Sequence, residues 1–234
     1  FQSFHDHDKY LIVIYLVHKT LIFYANNFLK LDFDTYYNKN LLEIPNFNII
    51  NISRDLKISK ETARRKVLEL EKLGAIQRKK KKIILNRGVF KFQRPNKSVT
   101  EASYLLSKLT ETLSNNGEIN KKISSKDIEW YIRKNFTYCW KLFFDMQIPL
   151  ILNWKKTFND IETWHIWGII ATQKSFKNSS VSLNREKFME DTFKEGAGGI
   201  NAMSIAELTG IPRATVVRKI SNLSNRKLVS IDSK

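Results

Sequence analysis

The chain has 234 residues and a mass of 27.5 kDa, room for two domains of ordinary size, each with its own core. Hydrophobic residues make up 42% and charged residues 27%, which excludes the disordered and fibrous classes; a single cysteine, Cys139, excludes an intrachain disulfide and, beside four histidines, nearly excludes a structural zinc. Forty Lys and Arg against 23 Asp and Glu leave a formal charge of +17 and a pI near 9.8, so the expected partner is a polyanion, nucleic acid ahead of an acidic membrane surface.

In chain order, residues 10–25 (YLIVIYLVHKTLIFYA) are the most apolar stretch. A spanning helix needs about 20 apolar residues, and His18 and Lys19 interrupt this one. No basic run precedes it and no small-residue cleavage site follows, so it reads as a buried first helix over residues 9–30, with no membrane partner. Residues 48–51 are expected to be a short extended entry, 53–57 a short helix and 59–73 a longer one that Gly74 ends. Two strands follow, 75–78 and 83–86, around a lysine-rich turn. The middle of the chain holds a polar amphipathic helix at 100–113, a loop through Asn115–Gly117 and a helix from Ser125. An aromatic run of Trp130, Tyr131, Phe136, Tyr138, Trp140, Phe143 and Phe144 comes next, and Pro149 is expected to interrupt the apolar stretch 138–152. Helices at 160–175 and 184–195, a glycine-rich break at 196–199, helices at 204–209 and 212–226 and a strand at 228–231 complete the order.

The order repeats. A shift of 153 residues pairs Ile58 with Ile211, Thr62 with Thr215, Arg65 with Arg218, Lys66 with Lys219 and Leu70 with Leu223; a one-residue gap just upstream then sets Leu56 on Leu208. The same shift lays residues 10–17 roughly over 163–170. The division that follows is 1–95 for a first module, 96–157 for a helical linker or dimerisation region, and 158–234 for a second module.

Short helix, tight turn, longer helix and two-stranded hairpin is the order of a winged helix-turn-helix. ISRDLKISKETARRKVLELEKLGAI (52–76) resembles the helix-turn-helix of many bacterial repressors, and SIAELTGIPRATVVRKISNLSNRKLV (204–229) is similar to the corresponding segment of the IclR and MarR families. The resemblance implies a mainly α fold with small β-hairpin wings (α+β), two winged helix-turn-helix domains, and a DNA-binding regulator. A plasmid replication initiator, built from the same tandem, is the alternative, and so is a second module that binds protein.

The residues support the same reading. Ala63, Val67 and Leu70 form one apolar stripe on the longer helix, and Val216, Ile220 and Leu223 repeat it. Opposite stand Lys60, Glu61, Arg64 and Arg65, with Lys66 to one side; a helix in the major groove needs long polar side chains on its first two turns. Ser59 can cap the helix and, with the N–H groups there, hold a phosphate, and Thr62 shares that turn. Arg78, Lys79, Lys80, Lys81 and Lys82 form a cationic hairpin tip suited to phosphate or the minor groove. Residues 53–94 carry 15 of the basic residues against 4 acids. The second module is less cationic: Arg213, Ala214, Thr215, Val217, Arg218 and Lys219 line its helix, with Ala214 and Val217 able to meet thymine methyls or a protein.

The partner expected is double-stranded DNA, with a homodimer through 125–157 or an interdomain core as uses of the aromatic run, and a small-molecule pocket there as a further use. No nucleotide-binding or nucleophile motif occurs, so no enzyme and no cofactor is expected. His5 and His7 lie among aspartates at a chain end, where a capping or disordered segment is expected rather than a metal site. A cytoplasmic, nucleoid-associated setting fits the lone cysteine.

Overall fold

The computed structural model describes residues 6–39, 41–44, 48–79, 82–86, 95–177 and 200–231. It is mainly helical with one small three-stranded antiparallel sheet, an α+β arrangement. The chain divides into two compact units, Asp8–Pro149 and Phe1–His7 with Leu150–Lys234.

The larger unit is led by α1 (His7–Asn26), which buries Leu11–Leu16, Thr20 and Leu21. Burial on consecutive positions means that other elements surround the first turns. The helix ends four residues earlier than expected, where Phe28 takes a left-handed φ of 55°. A short helix unforeseen in the sequence, α2 (Phe33–Tyr37), follows; Asp32 caps it by accepting from the Thr35 N–H at 2.9 Å. Phe33 and Tyr36 pack edge-on and tilted against Phe136, with ring centroids 5.1 and 5.4 Å away.

Strand β1 (Leu41–Ile44) is likewise unforeseen. It alternates exposed and buried residues, the period of a half-buried strand. Next come α3 (Ile49–Leu56) and α4 (Lys60–Lys72), then β2 (Ile76–Lys79) and β3 (Lys82–Asn86). Of residues 48–51 only Asn48 is extended: its side chain accepts from the Ile50 N–H at 3.0 Å and starts α3 at the next residue. Strand β3 lies at the centre of the sheet, in the order β1-β3-β2, with Leu42 opposite Leu85 and Ile44 opposite Ile83 on one side, and Ile76 opposite Leu85 on the other.

Helices α5 (Asn96–Asn115) and α6 (Ser125–Lys134) pack on each other, fastened by the Ser107 hydroxyl donating to the Ile123 carbonyl at 2.8 Å. Helix α7 (Phe136–Phe158) runs through Pro149 rather than stopping there. An interior proline costs about 3 kcal/mol, and buried residues on both sides of it, Phe144 and Ile148 before and Ile151 and Phe158 after, favour keeping the helix intact.

The smaller unit has a core of Phe158, Ile166, Ile205, Ile211, Val216 and Leu223, with Trp154, Trp164 and Trp167 packed around it. These come from the end of α7, from α8 (Ile161–Lys177), and from α9 (Ala202–Thr209) and α10 (Arg213–Asn225). The expected strand at 228–231 does not form. Its apolar residues have no neighbouring strand among the described residues of this unit, and a lone strand cannot satisfy its backbone. The expected helix at 184–195 and break at 196–199 lie outside the described residues, as do Lys80 and Lys81.

Candidate nucleic-acid interface

The two helix pairs coincide element for element at the same 153-residue offset: α3 maps onto α9 and α4 onto α10, with identical bounds. Asn48 and Asn201 are both side-chain N-caps. Ile52 and Ile205 are both fully buried. Lys57 and Gly210 both turn the chain in the left-handed conformation, at φ 51° and 69°. Gly74 and Lys227 do so again after the longer helices, at φ 70° and 57°. The upstream gap expected from the sequence is therefore corrected. Leu56 corresponds to Thr209, both buried, and Leu208 is 62% exposed at the position of Asp55.

In the first copy, Ser59 caps α4 by accepting from the Thr62 N–H at 3.0 Å, and its own hydroxyl donates to the Thr62 Oγ1. Ala63, Val67 and Leu70 are fully buried. That fixes the rotation of the helix and turns Lys60, Glu61, Arg64 and Arg65 to solvent. Glu61 pairs with Arg64 at 3.5 Å; Arg65 makes no ion pair with the described residues.

Lys66 does not join this face. Its amine lies 3.3 Å from the Glu69 carboxylate, which also meets Lys9 of α1 at 3.3 Å, and its side chain is only 12% exposed. Burial works to raise the Glu69 carboxyl; the Lys66 and Lys9 amines outweigh it and hold the group below the usual range.

Lys219, the equivalent residue, also turns inward. Its amine donates to Asp160 at 2.7 Å and to the Thr163 hydroxyl at 3.1 Å, and lies 3.3 Å from Glu162, again with 12% of the side chain exposed. Burial of Asp160 opposes ionisation, but Lys219 and the Thr163 N–H prevail and its carboxyl stays low. Lys66 therefore pairs with a carboxylate of its own helix that also reaches Lys9 of α1, and Lys219 ties α10 to the start of α8, so both of these expected contact residues are engaged by carboxylates.

Arg78 is engaged as well. Glu71 at the end of α4 accepts from the Arg78 backbone N–H at 3.2 Å, from Nε at 2.9 Å and from Nη2 at 2.7 Å. Those bonds hold the Glu71 carboxyl below its ordinary value and moor the hairpin to the helix. Lys82 pairs with Glu43 of β1 at 3.1 Å, and Lys79 is exposed beside it in register.

In the second copy, Arg213, Ala214, Val217 and Arg218 are exposed and Thr215 is half-buried. Arg218 makes no ion pair with the described residues, as with Arg65. Pro212 occupies the N-cap of α10 without a side-chain bond, so nothing there matches the Ser59 cap.

Two features are not foreseen in the sequence. One is Lys57, an exposed cation in the turn where the second copy has Gly210; a basic residue between the two helices is the signal that could have found it. The other is a brace behind the turn, in which Tyr15 donates to Asp55 at 2.7 Å and Lys19 sits 3.4 Å from the same carboxylate. Burial, then the bond to Asp55, pushes the Tyr15 phenol upward, so it remains a donor at any physiological pH.

Of the aromatic run, Phe136, Trp140 and Phe144 are buried, while Trp130, Tyr131, Tyr138, Leu142 and Met146 are exposed. Cys139 is half-buried, and burial raises its thiol. No helix among the described residues is long and apolar enough to cross a membrane. Compared with family models, curated proteins and solved structures, the chain finds no match.

Proposed function

We propose that this chain is a sequence-specific double-stranded DNA-binding protein, a transcriptional regulator built on two helix-turn-helix modules, the first of them winged, and working in the cytoplasm. The observation that carries the reading is the solvent-facing side of α4. Lys60, Arg64 and Arg65 stand on its first two turns, opposite a fully buried stripe, next to a hairpin rooted by Glu71 and Arg78. Apart from the short α2, the order α1, α2, β1, α3, α4, β2, β3 in that unit is that of a winged helix, whose sheet takes one strand from ahead of the helix pair.

Cationic residues steer the protein to the duplex, the hairpin contacts phosphate or minor groove, and α4 reads base edges. Arg65 is the leading base reader, since Glu61 already engages Arg64. The surplus of about 11 positive charges in residues 53–94 gives the affinity its salt dependence. A homodimer, where one forms, uses the exposed side of α7 at Tyr138, Leu142 and Met146 rather than the buried Trp140.

The test is selection from random duplexes with the full chain, followed by affinity for the winner and for a scrambled duplex across a salt series. A preference of about a thousandfold or more, steeply weakened by salt, supports the proposal. Equal affinity for both duplexes, or none for either, refutes it. A selected site beside a replication origin instead of a promoter would favour the initiator reading.

A further inference from the structure

The helix-for-helix coincidence of the two copies shows where they differ. On the outward side of α4 stand Glu61, Arg64, Arg65 and Leu68; the same four positions of α10 hold Ala214, Val217, Arg218 and Ser221. These residues are spaced i, i+3, i+4 and i+7, which is one face of a helix, and all eight are exposed. Only the arginine is common, at Arg65 and Arg218, and neither is paired with a described residue. The charged couple Glu61–Arg64, 3.5 Å apart, is replaced by a methyl group and an isopropyl group.

We infer that Ala214 and Val217 form a methyl-reading surface, so that the stretch of duplex under α10 is recognised through the 5-methyl groups of thymines. The inference rests on the DNA-binding reading above and adds the chemistry of the second half of the site. In the major groove thymine alone among the four bases presents a methyl group, and short apolar side chains are what contacts it. Val217 is 45% exposed on the second turn of α10, where its copy-one equivalent is an arginine. Arg218, one residue on, keeps the cation that anchors the same register in both copies. Leu208 is not part of this face. It occupies the place of Asp55, which in the first copy answers Tyr15 and Lys19 of the leading helix. The electrostatics agree: with Lys219 held by Asp160 and Glu162, α10 keeps only Arg213 and Arg218 as exposed cations, and apolar contact adds to what Arg218 reads. The whole site is therefore asymmetric. The base steps under Glu61 and Arg64 offer polar partners, those under Ala214 and Val217 offer thymine methyls, and each half has its own base opposite an arginine, Arg65 in one and Arg218 in the other.

The test uses the full chain and its selected duplex, with deoxyuridine replacing thymidine one position at a time, a change that deletes only the methyl group. Affinity is expected to fall about fourfold for each contacted methyl. Val217→Ala, which retains helix propensity at an exposed site, should bind the thymine duplex more weakly and ignore the deoxyuridine change. The double variant A214E/V217R should lose the methyl preference and acquire that of the first copy. Equal binding of thymine and uracil duplexes by the unaltered chain overturns the inference while leaving DNA binding, measured by its loss in Arg65→Ala, intact. If A214E/V217R binds the selected duplex as the unaltered chain does, the surface faces a protein, and the inference is overturned in that way. Absence of any duplex binding would remove the underlying reading as well.

Discussion

Arg65 and Lys66 are adjacent in sequence, both cationic and both repeated 153 residues later, yet Arg65 is exposed while the Lys66 amine is held against Glu69. The buried stripe of Ala63, Val67 and Leu70 sends Arg65 outward and leaves Lys66 against Glu69. Two predictions separate these roles. Arg65→Ala should weaken binding to the selected duplex by about 1–3 kcal/mol and relax the preference at one base position; competition titrations against single-base variants measure both. Lys219→Met should leave the salt dependence of duplex binding unchanged and lower stability by about 1 kcal/mol, a figure kept small because Asp160 is partly exposed. The pH dependence has a definite sign. Asp160 has a depressed folded-state pKa, so its contribution is present above the unfolded carboxylate value near 3.9 and is lost as pH falls through the lower folded value. Without Lys219, only the Thr163 N–H and hydroxyl oppose the effect of burial, so the carboxyl moves up from its value in the parent and the variant should begin to lose stability at a higher pH. Denaturant melts from pH 7 to pH 3 give the comparison.

Element by element, local signals are legible where one residue type sets the backbone. Ser59 before α4 and Gly74 after it mark the helix to within a residue, and Asn115–Gly117 marks the end of α5. Non-local elements are not legible in the same way. Leu41–Ile44 is four residues long and becomes a strand only by pairing with β3, some forty residues later. Residues 228–231 are also mostly apolar but have no such partner, so the strand expected there is absent among the described residues. Leu56 and Leu208 match by letter, but the residue that fills the buried position in the second copy is Thr209. For the site, the outward face of α4 and the i,i+3 pair Lys66–Glu69 can be read from helical spacing, whereas the carboxylates that engage Lys219 and Arg78 cannot, because Lys219 is answered from a distant helix and Arg78 across the hairpin root. The hairpin residues accordingly divide into two groups. Lys79, Lys80 and Lys81 replaced by serine should flatten the salt slope by about 0.9 for each phosphate left unneutralised, with little change in melting. Arg78→Ala should chiefly lower stability by releasing Glu71. A salt slope unmoved by the triple replacement would take the hairpin out of the interface.

At the scale of the whole molecule, the chain repeats one helix pair with the same helix bounds and the same left-handed turns, and what sets the first module apart in charge is the cationic run Arg78–Lys82 that follows its pair. On the proposed reading, the first module with its hairpin supplies most of the attraction, and both modules read bases on an asymmetric site. The measurement that tests this most directly is a hydroxyl-radical footprint of the full chain on its selected duplex, repeated with Arg65→Ala and with Arg218→Ala. The account predicts two protected segments, one thinned by the first variant and the other by the second. Protection that is missing even at low salt, or that both variants thin in the same segment, would contradict it.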